Sequence, residues 1–418
     1  MLKIKKINKK LLIIFVSLFF YQCKEINYPL LEPEKFLTIL EREISLNYYF
    51  GDNIPKEEYL RTVKLLEPNI ENLSILNAKD YFIEILRQNY KKDINTAENF
   101  YRKSIYELLK NFKGRNLYIV PSTVTLLNNK ENNAGLGIVL YEEGLGKFFI
   151  LDIIEGSSAY LVEIKPGQYL QAINNQPVSE FFLEDIVARL KGKAKTKVNV
   201  TIQGNNYDLY RSNYQVLPVR KTKWIVKNKQ VLYLQIRFTF EGVAEQIKQY
   251  LFETQNPDYL VIDIRYLSYG DIEEILKIVD LFIPQKPLFK IYIKNQKEET
   301  YSSTENIYFT GKIIVLHQSK STPFAFAFAR LMEQAYESVI LGPMEQMDIF
   351  IGKEIPIKEG NQLNGAFYLT NGYMEFIHSL NPKKWIQMEN FISTYPPAEK
   401  PNLEDPYHRR IVEIISRD

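Results

Sequence analysis

"GSSAYLVEIKPGQYLQAINNQPV" spans residues 156–178. Pro166-Gly167 marks a turn between two apolar segments, because proline fixes φ and glycine takes backbone conformations that other residues avoid. The flanks carry strand patterns: "GLGIVL" (135–140), "FFILDII" (148–154) and "KVNVTI" (197–202) are rich in β-branched and aromatic residues. "SEFFLEDIVARLKG" (179–192) reads as a helix. Residues 116–220 therefore read as one region of short strands with a covering helix.

The character changes on both sides. Toward the N-terminus, "EKFLTILEREISLNYYF" (34–50) and "AENFYRKSIYELLKNF" (97–112) place apolar residues at i, i+3, i+4 and i+7. Pro55 in "NIPKEEYL" stands near a helix start. Residues 30–115 read as a small helical bundle with nothing that suggests chemistry. Toward the C-terminus, strands "KQVLYLQIRF" (229–238), "YLVIDIR" (259–265), "KIIVL" (312–316) and "SVILG" (338–342) alternate with helical stretches at 241–253 and 270–283. Continuous apolar strands with helices between them predict an α/β core with both sheet faces covered.

With 418 residues the chain has room for two or three domains. Its 45% hydrophobic and 25% charged residues are those of an ordered globular protein. The 29 Tyr and 25 Phe fit either a background codon bias shared with Lys, Asn and Ile or stacking surfaces. The first 23 residues stand apart. A basic stretch "MLKIKKINKK" precedes the apolar "LLIIFVSLFFY", which is signal-core length and too short for an anchor helix. It ends at Cys23, the one cysteine of the chain, so intrachain disulfides and a CxxC metal site are excluded. The formal charge of +3 rests on five lysines before Cys23; without them 48 basic residues face 50 acidic ones. That removes the basic-protein argument for nucleic acid.

Three resemblances emerge. Gln22-Cys23 after the apolar run is similar to the lipobox of bacterial lipoproteins, with bulky Phe20 and Tyr21 where small residues are usual. "SSAYLVEIKPGQYLQAINN" resembles the "SPAxxAGLKPGDxIxxING" element of bacterial-protease PDZ domains, with Gln168 for Asp and Asn175 for Gly. Asparagine tolerates a left-handed backbone, so the second change is mild. The resemblance implies that Gly135, Leu136, Gly137 and Ile138 form the loop that offers backbone amides to a peptide C-terminal carboxylate. The order of helical segment, PDZ domain and α/β core resembles the carboxy-terminal processing, or tail-specific, serine peptidases. "YIVPSTVTLL" (118–127), "VLYLQIRFTF" (231–240), "YLVIDIR", "KIIVLHQSKS" (312–321), "SVILG" and "IPIKEG" (355–360) match that family's landmarks in order. The expected fold class is thus α+β multidomain. It comprises a signal peptide over 1–23, an N-terminal helical region over 30–115 and a PDZ domain over 116–220, β-sandwich-like with helices. A tail-specific-peptidase-like α/β core completes it over 221–418.

That family uses a serine in a strand-to-helix turn, a lysine base and a glycine amide of an "NPGG" turn. Counting from the landmarks places the nucleophile at Thr322 or Pro323, the base at Asp348, and Tyr269 where the first glycine of the turn belongs. None matches. Ser319, Ser321 and Thr322 lie in or beside the turn, and Lys353 in "IGKE" is the nearest lysine to the base position. Ser321 or Thr322 with Lys353 therefore form the alternative dyad. His317, His378 and His408 are the only histidines; "HExxH", "GxSxG" and P-loop patterns are missing, and nothing implies a metal or cofactor. Three readings stay open. The first is an exported, lipid-anchored protein of the bacterial cell envelope, facing the periplasm, with a degenerate site that binds extended or C-terminal peptide segments. The second is a working serine endopeptidase with a rearranged dyad, and the third is a structural envelope protein.

Overall fold

The computed structural model describes residues 30–128, 133–255, 257–304, 307–318, 322–335, 337–344, 347–389, 391 and 398–418. The chain folds as two compact units.

The first unit joins the N-terminal residues to two segments from far along the chain, 291–299 and 350–374. Four helices open it: α1 (Pro33–Asn47), α2 (Lys56–Leu66), α3 (Ala78–Tyr90) and α4 (Ile94–Leu109). Pro33 starts α1, where its missing N–H costs no bond. The Asp93 carboxylate accepts the Thr96 N–H at 3.1 Å and caps α4. Phe36, Leu40 and Ile44 recur along one face of α1 and are fully buried. Phe36 meets Tyr118 and Phe367 at ring-centroid distances of 4.8 and 5.4 Å. Strand Leu117–Ile119 carries Tyr118 and pairs antiparallel with residues 366–368, so the helices close over strands contributed by the distant segment.

The second unit holds two sheets. In the first, β1 (Ile138–Gly144), β2 (Lys147–Ile153), β3 (Tyr169–Ile173), β4 (Lys197–Ile202) and β5 (Asn205–Tyr210) follow one another in spatial order. Helix α5 (Leu183–Leu190) buries Ile186 and Leu190 in the same core as Phe148, Ile150, Val198 and Val200. The Pro166-Gly167 turn forms as the sequence predicts: Gly167 has φ +92° and its N–H donates to Ile150 O at 2.9 Å. Asn174 and Asn175 take φ of +48° and +62° between β3 and the next short strand, so asparagine serves where glycine is usual.

The second sheet runs, in spatial order, β11 (Trp385–Ile386), β10 (Ser338–Leu341), β9 (Lys312–Leu316), β8 (Tyr259–Asp263), β7 (Lys229–Ile236) and β6 (Val219–Val226). Only the β6–β7 hairpin is antiparallel. Val261, Ile314, Leu316 and Leu341 pack under the C-terminal helix Pro406–Arg417 through Tyr407, Ile411 and Ile415. The alternating residues Leu260, Ile262, Ile313 and Val315 are buried as well, so both faces are covered. The observed architecture is α+β and multidomain, as expected from the sequence.

Candidate functional site

Strand β9 ends at Leu316 and helix Pro323–Met332 begins seven residues later, which sets the turn in the expected place. Ser319 and Ser321 lie outside the described residues. Thr322 is the helix N-cap. Its hydroxyl donates to Leu267 O at 2.8 Å and accepts the Ala325 N–H at 3.4 Å. Pro323 follows at the first helical position and is exposed. The "FAFAFA" pattern could alternate as a strand, but the Thr-Pro start commits it to a helix. Residues 325–332 are buried throughout. Burial of Phe326 and Phe328 contributes roughly 1.5–3 kcal/mol each to holding this helix in place. A hydroxyl with its proton on a carbonyl and a lone pair on a helix amide is a structural cap. A nucleophile would need that proton directed at a base.

The strand side of the turn is tied down. His317 N–H donates to Leu341 O at 2.9 Å, and Tyr407 Oη donates to His317 O at 2.9 Å. The Gln318 side chain donates to Arg265 O at 2.6 Å. Burial lowers the His317 pKa to about 4, which makes it a weak base at neutral pH. The other histidines are engaged in contacts of their own. His408 Nε2 lies 3.2 Å from Tyr233 Oη and its Nδ1 accepts the Asn402 N–H. His378 Nε2 lies 2.9 Å from Pro287 O.

Residues 265–271 form the turn that stands at the oxyanion place of the resemblance. Ser268 N–H donates to Arg237 O at 3.1 Å and Asp271 N–H to Thr239 O at 3.1 Å. Tyr269-Gly270 pairs in parallel with Phe238-Thr239, so the turn is drawn into a short ladder. A Cβ on Gly270 would stand 2.3 Å from the Thr239 hydroxyl, so this glycine is required for close approach. Asp348 is exposed in the second unit. Lys353 belongs to the first unit, on strand Ile349–Glu359, where its Nζ donates to Asn47 Oδ1 at 2.8 Å. The described residues therefore do not bring together Thr322, Asp348 and Lys353 within one unit. They contain no cluster of three or more His, Cys, Asp or Glu able to hold a metal ion.

At the end of β8 lies a buried network that sequence reasoning missed. Arg265 Nε donates to Asp263 Oδ1 at 3.0 Å, and its Nη1 stands 3.0 Å from Asp405 Oδ2. Tyr233 Oη donates to Asp263 Oδ2 at 2.5 Å. Burial alone would push the Asp263 carboxyl up. The Arg265 charge and hydrogen bonds outweigh it and hold the pKa below the ordinary range. "DIR" gave the pair its spacing, but Asp405 lies 140 residues on and no local pattern links it. A second network couples the two sheets. Fully buried Arg237 pairs with Asp152 and, at 3.0 Å, with Glu155; Arg220 also pairs with Glu155.

The PDZ-type loop precedes β1. Gly135 and Ser212 exchange backbone bonds of 3.1 and 2.9 Å. Leu136 O accepts the Ala159 N–H and Gly137 O accepts the Ile154 N–H. Gly137 has φ +80°, and a Cβ there would strike Ser157 at 2.1 Å, so the position requires glycine. Ile138 opens β1, a terminal strand of its sheet.

Residues 125–203 match the PDZ domain family and residues 230–377 match peptidase family S41. The chain carries a PDZ domain and a peptidase family S41 domain. It is 24% identical over 246 residues to the tail-specific protease of Haemophilus influenzae, covering 54% of this chain and 35% of that protein. It is 23% identical over 207 residues to the carboxy-terminal processing protease CtpA of Bacillus subtilis, covering 48% of this chain and 44% of that one. The chain thus spans less than half the length of these two relatives. Among solved structures, the photosystem II D1 C-terminal processing protease superposes with a TM-score of 0.62 at 15% identity, covering 86% of this chain and 94% of that one. That likeness establishes the shared fold.

Proposed function

We propose that this chain binds extended or C-terminal peptide segments through its PDZ domain, and that its S41 domain is a degenerate homologue of the C-terminal processing peptidases. The observation that carries this reading is the Thr322 hydroxyl. At the place counted for the nucleophile it caps a helix and donates to Leu267 O, with Pro323 beside it. The Ser268 and Asp271 amides, on either side of Tyr269-Gly270, are spent on backbone carbonyls, and the glycine position itself holds Tyr269, which further supports loss of the reaction. Catalytic groups that act as a unit lose most of their benefit when one goes. The chain's setting in this reading is the bacterial cell envelope. It is exported behind residues 1–22 and anchored by a lipid on Cys23, with its domains facing the periplasm. Cys23 lies outside the described residues, and among those described no helix is long and apolar enough to cross a membrane.

The relatives' names favour the alternative, an active serine endopeptidase that uses Ser321 or Thr322 with Lys353. The test is incubation of the purified full chain with unfolded, C-terminally tagged proteins. The expected result is retention of the tagged protein without cleavage above background. Robust cleavage that disappears in both Ser321→Ala and Lys353→Ala overturns the binding reading.

A further inference from the structure

A groove of about 950 Å³ opens on the S41 domain, between the start of β6 and the helix Val243–Thr254. Val216 and Pro218 form one wall, and Pro218 is pinned there because its O accepts the Arg237 N–H at 2.9 Å. One face of the helix forms the other wall, with Glu245, Lys248 and Phe252 recurring at three and four residues. Buried Val243, Leu251 and Phe309 lie at its base.

Three aromatic rings around this groove stay open to solvent. Phe252 is 84% exposed, Tyr308 46% and Phe240 41%. Single exposed apolar side chains are ordinary, but several around one concavity mark a contact surface. The rings are held in place. Phe240 stacks on Phe238 with centroids 5.3 Å apart, and Lys248 Nζ sits 4.3 Å from the centre of the Tyr308 ring. The Tyr308 N–H donates to Leu281 O at 2.8 Å.

The charge around the start of the helix is negative. Glu241 and Glu245 are exposed on the groove wall. Asp271, Glu273 and Glu274 adjoin them; the Ala244 N–H donates to Glu274 Oε1 at 2.8 Å. Among the described residues the nearby cations are Lys248, 3.7 Å from Glu245, and Lys277, 3.0 Å from Glu274. Burial pushes the Glu273 carboxyl up, and the charges of Asp271, Glu241 and Glu274 push it further, as expected where carboxylates outnumber cations. A concave, acidic surface disfavours a flat anionic bilayer. It suits a narrow apolar segment that brings its own cation. The helix wall from Val243 to Phe252 is about 13 Å long, the reach of roughly four extended residues.

We propose that this groove is a peptide-docking site separate from the PDZ domain. Its occupant is an extended segment of another protein that sets apolar side chains on Phe240, Phe252 and Tyr308 and a lysine or arginine against Glu241 and Glu245. Aromatic-lined grooves of this kind recognise extended chains through ring contacts, with charge fixing the direction.

The experiment measures retention of fluorescent octapeptide pools on the immobilised full chain. All peptides are acetylated and amidated, with Leu, Phe, Tyr or Pro around two central positions that hold Lys or Arg in one pool and Asp or Glu in the other. Wild type is expected to bind the basic pool about fivefold more tightly at low salt, the scale of reversing an exposed ion pair. That preference should shrink as salt is raised. Phe252→Ser is expected to weaken binding of the basic pool about tenfold, the scale of one phenyl ring covered in part. Glu241→Gln combined with Glu245→Gln is expected to leave the two pools equal. These three side chains are exposed, so urea unfolding of the variants should match wild type. Equal binding of the two pools by wild type overturns the site, and so does basic-pool binding that Phe252→Ser leaves unchanged. If wild type instead binds phosphatidylglycerol vesicles, or dimerises, in a manner that Phe252→Ser abolishes, without distinguishing the pools, the groove serves a bilayer or a second copy and the proposal falls. None of these results bears on the PDZ reading, because amidated peptides lack the carboxylate that the PDZ loop would take.

Discussion

His317 closes β9 and is nearly inaccessible, with its ring centroid 6.1 Å from that of Phe326 and 6.0 Å from that of Trp385. Burial disfavours its charged form and lowers its pKa to about 4. An unfolded-chain histidine takes its proton near pH ~6.5. The folded pKa is thus depressed. As pH falls through the window from about 6.5 to 4, the unfolded chain binds a proton that the folded chain refuses, and stability is lost. It is fully present above the unfolded value. Linkage over the interval from about pH 7.5 to 4.5 gives a loss of about 2.5 kcal/mol from this one group. His317→Phe keeps an aromatic ring between Phe326 and Trp385 and removes the titration. The assay is urea unfolding at the two pH values, followed by tryptophan fluorescence. Trp224 and Trp385 are the only tryptophans and both lie in the S41 sheet, so the signal reports that sheet. Wild type is expected to lose about 2.5 kcal/mol more than His317→Phe between these conditions. Carboxylates that titrate in the same range cancel in the difference. Equal losses in the two proteins, to within about 0.5 kcal/mol, refute the argument that burial holds His317 neutral.

Two other substitutions separate the roles assigned above. Thr322→Ala removes a helix cap and is expected to cost about 1 kcal/mol in urea unfolding, while Thr322→Ser retains most of the wild-type stability; an alanine variant as stable as wild type counts against the cap. Cys23→Ser is expected to release the protein from isolated membranes or to stall its processing, and unchanged membrane partitioning removes the lipid anchor from the proposal.

Local chemistry made much of the fold legible. Pro166-Gly167 and the Asn174-Asn175 pair signalled turns that need special backbone angles, and they take them. The continuous apolar runs at 259–263 and 312–316 signalled parallel strands covered on both faces, because such strands have no polar side to expose. What escaped is nonlocal. Nothing in residues 30–115 announces that their helices close over strands from 350–374, since each helix face is satisfied by any apolar surface. The Asp263–Arg265–Asp405 network joins charges 140 residues apart.

At the strand-to-helix turn, the proposed loss of a nucleophile draws support from the hydrogen bonds of the described residues as well as from the residue types. A hydrolytic site keeps polar groups uncommitted: a hydroxyl whose proton can pass to a base, and amides aimed at space that the oxyanion will fill. Such groups cost stability until substrate arrives. Here several described groups at or beside the corresponding places are committed. The Thr322 hydroxyl donates to Leu267 O and accepts the Ala325 amide. The Ser268 and Asp271 amides donate to Arg237 O and Thr239 O. Lys353 Nζ donates to Asn47 Oδ1. Each bond is worth only about 1 kcal/mol, but each must be broken before the group can serve in catalysis. An active enzyme built on these residues would therefore have to rearrange several contacts at once. The competing reading gains most if Ser321 alone supplies the nucleophile, because that requires the fewest of these bonds to break. The paired Ser321→Ala and Lys353→Ala comparison is decisive for that reason: activity lost in the first and kept in the second would point to a serine that works with a base other than Lys353.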